Sequence, residues 1–202
     1  MSIMNHKTFL LVIAFASAAC SPTDNEGGSA SPVASESKHV VVDDAVIDKG
    51  DLYKVIDPVW WTVNIYDDMD TYENSLSSFS KRQRLVNAVI WYRSEVNNGG
   101  HDQFYYNSTG IVWRDALEAF ETFGLGQFAR VLSASADRFS RPPSLDREER
   151  NEQMEAEEPE FDDLDSRFYA LEDSVNMDAK LMNLIKKHRS EFYFDGSVDI
   201  PE

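Results

Sequence analysis

Cysteine is almost absent from this sequence: Cys20 is the only one among 202 residues. A single thiol cannot form an internal disulfide. The fold must therefore be held by its hydrophobic core alone, even in an oxidising compartment.

The sequence also lacks the motifs that usually carry catalysis. It has no glycine-rich phosphate loop, no zinc-ligand spacing and no calcium loop of the Asp-x-Asp-x-Asp-Gly type. Of its four histidines, His6 and His39 precede the predicted fold, His101 has no nucleophile or metal-ligand pattern around it, and His188 lies on an apolar stripe. We therefore expect no catalytic residues, no metal and no cofactor.

The longest apolar run is too short to span a membrane. It extends from Phe9 to Ala19, with one polar interruption, and follows a weakly basic start. Since about 20 apolar residues are needed to cross a bilayer, the run is typical of a secretory signal. It ends in Ser17-Ala18-Ala19-Cys20, which resembles the lipobox of bacterial lipoproteins, with serine where leucine is usual. We predict that residues 1–19 are a signal peptide and that Cys20 carries the lipid.

Two outcomes of export remain open. Ordinary secretion is one, because Ala16-Ser17-Ala18 also satisfies the small-x-small rule of a peptidase that leaves no lipid. We favour lipidation, because the only cysteine stands where the lipid would be attached. Ser21 then favours the outer membrane, so we expect a lipid-anchored protein of the bacterial cell envelope that faces the periplasm or the exterior.

Beyond the signal, the sequence divides into a tether and one domain. Residues 20–39 are rich in Ser, Pro, Gly and Ala and predict a flexible tether. Residues 40–202 have the length of one ordinary domain. Their apolar residues recur about every 3.6 positions, which predicts an all-α fold, a single compact multi-helix domain. Only Val40–Ile47 suggests a short strand or an extended arm.

Local signals place several helix ends. Asp57-Pro58 predicts a helix start, because proline is favoured in a first turn. Ser80 and Gln83 have the spacing of a capping box, and Gly99-Gly100 predicts the end of the helix they begin. The apolar positions assigned to helix faces are Leu85, Val89, Tyr92 and Val96; Trp113, Ala116, Leu117, Phe120 and Phe123; Phe128, Val131, Leu132 and Phe139; Phe168, Leu171 and Val175; and Met177, Leu181, Leu184, Ile185 and Phe192.

Negative charge dominates the composition, with 36 acidic against 19 basic residues and a formal net charge of −17. This excess disfavours nucleic acid and anionic lipid as direct partners and favours a basic protein, although solubility alone also explains it.

The charge is concentrated in an acidic insertion, residues 144–165. Its candidate partner-binding carboxylates are Asp146, Glu148, Glu149, Glu152, Glu155, Glu157, Glu158, Glu160, Asp162, Asp163 and Asp165. A disordered, self-repelling loop is the favoured interpretation of this segment. The alternative is an ordered surface whose carboxylates imitate the phosphates of a nucleic-acid strand.

One motif stands out from the rest of the chain. Its residues are Asn98, Gly99, Gly100, Gln103, Phe104, Asn107, Ser108 and Gly110. Two glycines permit a tight corner between helices, whose polar side chains can satisfy main-chain groups while Phe104 and one of the two following tyrosines enter the core. We favour this structural role over the alternative, a partner-contact patch made by Gln103, Tyr106 and Asn107.

The motif is similar to the Asn-Gly-Gly-x-x-Gln-Phe-aromatic-x-Asn-Ser-x-Gly signature of a bacterial domain family of largely unknown function, named for an acidic DNA-mimic protein. The likeness includes the stretches 57–61 and 167–172 and covers most of residues 50–194. It implies a helical fold, and carboxylates that occupy the basic face of a DNA-binding protein.

The export signal and the family resemblance point to different compartments. A mimic that displaces DNA must meet its target in the cytoplasm, where the DNA is, whereas an exported lipoprotein lies in the cell envelope. The leading hypothesis is a membrane-anchored acidic binding protein that captures a basic protein partner, for example as an inhibitor or an immunity protein against a cationic toxin. A cytoplasmic DNA mimic is one alternative, and it requires the signal prediction to be wrong. An envelope structural lipoprotein with no charged partner is the other.

Overall fold

The computed structural model describes residues 35–201, which form a helical domain with one small sheet. The helices are α1 (Asp44–Lys49), α2 (Leu52–Thr62), α3 (Met69–Leu76), α4 (Lys81–Tyr106), α5 (Trp113–Thr122), α6 (Gly126–Ala136), α7 (Arg147–Glu157), α8 (Asp162–Ser174) and α9 (Met177–Lys187). Short 3₁₀ turns, Ser108–Val112 and Arg189–Glu191, follow α4 and α9, and the strands are β1 (Ser35–Val42) and β2 (Phe194–Pro201). The all-α prediction is confirmed, with the sheet as an addition.

The small sheet joins the two ends of the described chain. β1 and β2 are antiparallel, and Val42 is opposite Phe194. The predicted tether boundary is wrong, because Ser35–His39 belong to β1; the rest of the tether and the signal lie outside the described residues. The interpretation of Val40–Ile47 is half right, since the strand ends at Val42 and Ile47 is buried in α1.

Helix α4 is the central element of the domain. The Ser80 hydroxyl accepts a hydrogen bond from the Gln83 amide at 3.1 Å, and the Gln83 side chain accepts one from the Ser80 amide at 2.9 Å, so the predicted capping box is present. The predicted stripe of Leu85, Val89, Tyr92 and Val96 is buried. The helix packs against α2 through Trp91, which stacks on Trp60 with ring centroids 4.0 Å apart.

Tyr92 lies at the centre of the aromatic core and contacts three phenylalanine rings. Its ring meets Phe104, Phe120 and Phe168 edge to face, with centroid distances of 5.0, 5.6 and 5.5 Å. Aromatic pairs prefer this geometry because the positive edge of one ring faces the negative face of the other. The cluster fixes α5 and α8 to α4.

The predicted helix start at Asp57-Pro58 is wrong. Helix α2 begins at Leu52, where the side chain of Asp51 accepts hydrogen bonds from the amides of Tyr53 and Lys54. Pro58 therefore lies inside the helix and is buried. The capping carboxylate and the buried residues before Pro58 outweigh the preference of proline for a first turn.

The acidic insertion is ordered, so its favoured interpretation as a disordered loop is wrong. Most of it forms α7, whose N-cap Asp146 accepts a hydrogen bond from the Glu149 amide at 2.9 Å, and its end forms the first turn of α8. Helix α7 is attached to the domain through Arg150 and Gln153, which are 0 % and 4 % exposed. Because this attachment is polar, the apolar pattern of the sequence did not indicate it.

Candidate partner-binding surface

The double glycine breaks α4 into two helical segments. Gly99 and Gly100 have non-helical backbone angles, and Gly100 has a positive φ of 73°. A Cβ atom at Gly100 would lie 2.2 Å from a carboxylate oxygen of Asp165. The corner predicted from the sequence is present, and Gly100 is required both by its backbone conformation and by this close approach.

Glu95, which sequence reasoning missed, is the acceptor at the centre of the corner. Its Oε2 atom accepts hydrogen bonds from Gln103 Nε2 at 2.6 Å and from Asn107 Nδ2 at 2.9 Å. The expectation that the two amide side chains satisfy main-chain groups is therefore wrong. A carboxylate three positions after buried Tyr92, on the apolar stripe, was the available signal.

The other motif residues lie as the sequence suggested. Phe104 and Tyr105 are fully buried, Ser108 is 7 % exposed, and Tyr106 points outwards with 49 % of its surface exposed. Of the two tyrosines, Tyr105 is thus the one that enters the core.

His101 is part of a buried chain of polar groups. Its Nε2 atom lies 2.7 Å from the hydroxyl of Tyr92, and its Nδ1 atom contacts the carboxylate of Asp165. The His101 side chain is 0 % exposed, and burial raises the pKa of the Tyr92 hydroxyl well above its usual value. The chain therefore links the corner to the end of the acidic insertion, and the imidazole has no contact with solvent.

Arg150 links the acidic insertion to the motif from the other side. Its guanidinium donates to the carbonyl oxygens of Tyr105 at 2.6 Å, Asn107 at 2.8 Å and Ser144 at 2.8 Å. Burial lowers the pKa of Arg150 to about 10. A Cβ atom at Gly110 would lie 2.4 Å from Arg150 Nε, so the last glycine of the motif provides space for this guanidinium.

Five of the eleven predicted carboxylates form hydrogen bonds or ion pairs with other residues of the domain. Asp146 caps α7, Glu149 accepts from the Ser144 hydroxyl at 3.0 Å, and Glu157 accepts from the Ser140 hydroxyl at 2.9 Å. Asp163 pairs with Arg138 at 2.8 Å, and Asp165 is directed at His101 with only 15 % of its side chain exposed. The exposed carboxylates that remain are Glu148, Glu152, Glu155, Glu158, Glu160 and Asp162.

Helix α7 and the turn before α3 border an open cleft of about 520 Å³, which we name the acidic cleft. Glu148, Glu152 and Glu155 follow helical spacing and line one wall. Its carboxylates are Asp67, Asp68, Asp146, Glu148, Glu152 and Glu155, and Arg147 and Asn151 complete the lining. The structure thus brings four of the predicted acidic residues together with two from a distant turn that the sequence did not connect to them.

Two exposed tyrosines are linked through the main chain to residues that line the acidic cleft. Tyr66, which precedes Asp67, has 66 % of its surface exposed, and Tyr106 has 49 %. The carbonyl oxygen of Tyr106 accepts a hydrogen bond from Arg147 Nε at 3.3 Å. Exposed carboxylates and aromatic rings in one region of a surface suit a basic protein partner, because the rings add contact area and attract cations.

Neither a metal site nor a membrane-spanning helix is found among the described residues. Within residues 35–201, no three His, Cys, Asp or Glu side chains are placed so that they could hold a metal ion. Nor does this part of the chain contain a helix long and apolar enough to cross a membrane.

Comparison with known protein families gives a match over the central part of the chain. The model of a family described as DMP19-like protein matches residues 77–188, which is more than half of the chain and includes the corner, α7 and the acidic cleft wall. The match is narrower than the resemblance noted in the sequence, since the segment 57–61 lies outside it. No curated protein and no solved structure matches the chain.

Proposed function

This chain belongs to the DMP19-like protein family, and on that premise we propose that it captures a basic protein partner through the acidic cleft. Membership suggests a DNA-mimic type of acidic protein, which is consistent with a partner-binding role. The choice of the cleft as the contact surface is our own inference.

The observation that carries the proposal is the ordered wall of Glu148, Glu152 and Glu155. Four residues of an α-helix advance about 6 Å, so these carboxylates form a fixed row of negative charge. A strand of DNA carries one phosphate for about every 3.4 Å of helix axis, so the row is a sparser line of negative charge than a DNA strand but has the same sign and a similarly regular order. Because the row is already helical, little conformational entropy is lost when a partner binds.

We further propose that the protein acts from the cell envelope, attached through a lipid on Cys20. Support comes from the sequence alone, since Cys20 lies outside the described residues. In that compartment the partner would be a basic protein that arrives there, and inhibition of a cationic toxin is one form of the activity. A DNA mimic in the cytoplasm is the second candidate, and family membership favours it. Cell fractionation separates the two, because only the first places the protein in the membrane fraction.

We also propose that the domain is not an enzyme. The imidazole of His101 is enclosed by Tyr92 and Asp165 instead of facing a cleft. The acidic cleft itself holds carboxylates and no neighbouring histidine among its lining residues.

Affinity capture tests the proposed function. The purified protein, with its signal replaced by an affinity tag, is exposed to envelope and cytosolic extracts at low salt. The test variant carries Glu148→Gln, Glu152→Gln and Glu155→Gln. The control carries Glu121→Gln, Asp173→Asn and Asp199→Asn, which remove the same charge from exposed positions outside the cleft.

We expect a basic protein to be retained by the wild type and the control, and to be lost from the cleft variant. Added duplex DNA should release it if the partner is a DNA-binding protein. Equal retention by both variants would rule out the cleft as the contact surface.

A further inference from the structure

A groove with one arginine on each wall lies between α6 and α8, and we name it the arginine groove. It has a volume of about 270 Å³ and is lined by Gln127, Arg130 and Val131 from α6 and by Arg167, Ala170 and Leu171 from α8. It shares no lining residue with the acidic cleft, so the two surfaces can be altered independently.

The packing of α6 against α8 holds the two walls of the groove in place. Phe128 on α6 meets Phe168 on α8 edge to face, with ring centroids 5.8 Å apart. Just beyond α6, Arg138 pairs with Asp163 of α8 at 2.8 Å. Because both walls are helices packed against each other, the lining side chains start from fixed positions.

The two arginines of the groove differ from other arginines of the domain. Arg84, Arg93 and Arg189 each pair with two carboxylates. Within residues 35–201, neither Arg130 nor Arg167 takes part in an ion pair, although the chain has 36 acidic and only 19 basic residues. Two like charges that share one small cavity repel each other, and an anion bound between them removes this repulsion.

The guanidinium of Arg130 is directed along α6. A Cβ atom at Gly126 would lie 3.6 Å from Arg130 Nη1, so the guanidinium lies over the first residue of the helix instead of extending into solvent. Val131 is buried and gives the groove an apolar base. The cavity therefore combines cationic walls with an apolar surface.

This lining favours a phosphate ester over a carboxylate. A guanidinium donates two parallel hydrogen bonds to either group, and the amide of Gln127 is a further donor. A phosphate monoester carries about −1.5 to −2 charges at pH 7, which balances two guanidiniums, whereas one carboxylate balances only one. The apolar side chains of Val131, Ala170 and Leu171 suit a short alkyl group attached to the phosphate.

The size of the groove and the charge of the protein both favour a small ligand. Pockets for drug-sized molecules measure about 300 to 1,000 Å³, so the arginine groove suits a smaller group. The net charge of −17 repels extended polyanions such as nucleic acid more strongly than it repels a single phosphate.

We propose that the arginine groove binds one phosphate monoester group that carries a short alkyl chain. Arg130 and Arg167 bind the phosphate oxygens from the two walls, and Val131 and Leu171 contact the alkyl chain. The phosphate belongs either to a small soluble ester or to the headgroup of a lipid, since the groove would recognise both by the same chemistry. The site does not depend on the acidic cleft and stands or falls separately from the proposed function.

NMR titration of the isotope-labelled protein tests the groove. The probes are n-butyl phosphate, inorganic phosphate and pentanoate, which has the same alkyl chain on a carboxylate. We expect n-butyl phosphate to shift the side-chain signals of Gln127, Arg130 and Arg167. Inorganic phosphate should bind several-fold more weakly because it lacks the alkyl chain, and pentanoate about tenfold or more weakly because it has fewer acceptors and less charge.

Gln127→Glu is the most direct variant, because it keeps the shape of the side chain and places a carboxylate beside both arginines. It should weaken n-butyl phosphate binding about tenfold or more without lowering the melting temperature, and Arg167→Gln should weaken binding similarly. Arg114→Gln is the matched control. It changes the net charge by the same amount at an exposed position on α5, where the guanidinium lies over the Trp113 ring.

Vesicles distinguish the two sources of the phosphate. Phosphatidylcholine vesicles with and without phosphatidic acid are mixed with the wild type and with Arg167→Gln and then floated on a density gradient. Flotation of the wild type alone, and only with phosphatidic acid, would assign the phosphate to a lipid. Binding of n-butyl phosphate without flotation would assign it to a soluble ester.

Three results would overturn the site. Equal binding of n-butyl phosphate and pentanoate would exclude selection of a phosphate. Unchanged binding of n-butyl phosphate in both Gln127→Glu and Arg167→Gln would exclude the groove. An equal loss of binding in Arg114→Gln would show an effect of net charge alone.

Discussion

One carboxylate oxygen of Asp165 meets both the main-chain amide and the imidazole Nδ1 of His101, 64 residues earlier in the chain. The contact joins the first turn of α8 to the segment that restarts α4 after the glycines. Through this contact Asp165 belongs to the interior of the domain, although in the sequence it is the last residue of the acidic insertion.

Asp165→Ala should lower the free energy of unfolding by about 1 to 3 kcal/mol, because it leaves the buried His101 groups without their acceptor. Asp162→Ala, at an exposed position in the same helical turn, should change it by less than about 0.5 kcal/mol. Chemical denaturation of both variants measures the difference. Equal stabilities would show that the contact with His101 contributes nothing.

Gly100 and Gly124 provide a matched pair for the corner, because both have positive φ angles, 73° and 72°. A Cβ atom at Gly124 meets nothing within 4 Å, whereas one at Gly100 meets Asp165. Gly124→Ala should therefore cost about 1 to 2 kcal/mol of stability from backbone strain alone. Gly100→Ala should cost clearly more, and thermal melting compares the two. A Gly100 variant no less stable than the Gly124 variant would mean that the corner relaxes freely.

Asn107→Ala should reduce stability by about 1 to 3 kcal/mol, since it removes one of the two donors to the nearly buried carboxylate of Glu95. Asn97→Ala is the control, because the Asn97 amide bonds only a main-chain oxygen on an exposed face. An Asn107 variant with an unchanged melting temperature but no partner binding would show that the structural role assigned to Asn107 is wrong.

The sequence predicted what short-range patterns can express. Ser80 and Gln83 are three residues apart and encode a helix start by themselves, and the stripe of Val89, Tyr92 and Val96 follows from helical periodicity. The pairing of β1 with β2 was not predictable in this way, because the partner strands lie at opposite ends of the described chain.

The site was less predictable because its polar contacts depend on the tertiary fold. Arg150 counts in the sequence as a cation that offsets acidic neighbours, yet its guanidinium is buried among main-chain oxygens of α4 and the 144–146 turn. Asp67 and Glu152 are far apart in the chain and share the acidic cleft only after folding. Hydrophobic periodicity predicts which face of a helix is apolar, but it does not predict which polar faces pack against each other.

Acylation at Cys20 remains a prediction of the sequence. Cells grown with a labelled fatty-acid analogue should incorporate the label into the wild-type protein and not into Cys20→Ala, because the thiol is the attachment site. Gel fluorography of the immunoprecipitated protein makes the comparison. Label in both proteins, or in neither, would contradict lipid attachment at Cys20.

The most direct test of the central claim is the association rate of the captured partner as a function of salt. The Debye length falls from about 10 Å at 0.1 M to about 3 Å at 1 M, so attraction by the acidic cleft should be strongly screened across this range. We predict that the rate constant for the wild type and for the Glu121, Asp173 and Asp199 control falls steeply with salt. The Glu148, Glu152 and Glu155 variant should associate more slowly at low salt, with a flatter dependence and an unchanged melting temperature. Association that is independent of salt and equal in all three proteins would contradict recognition by the acidic cleft.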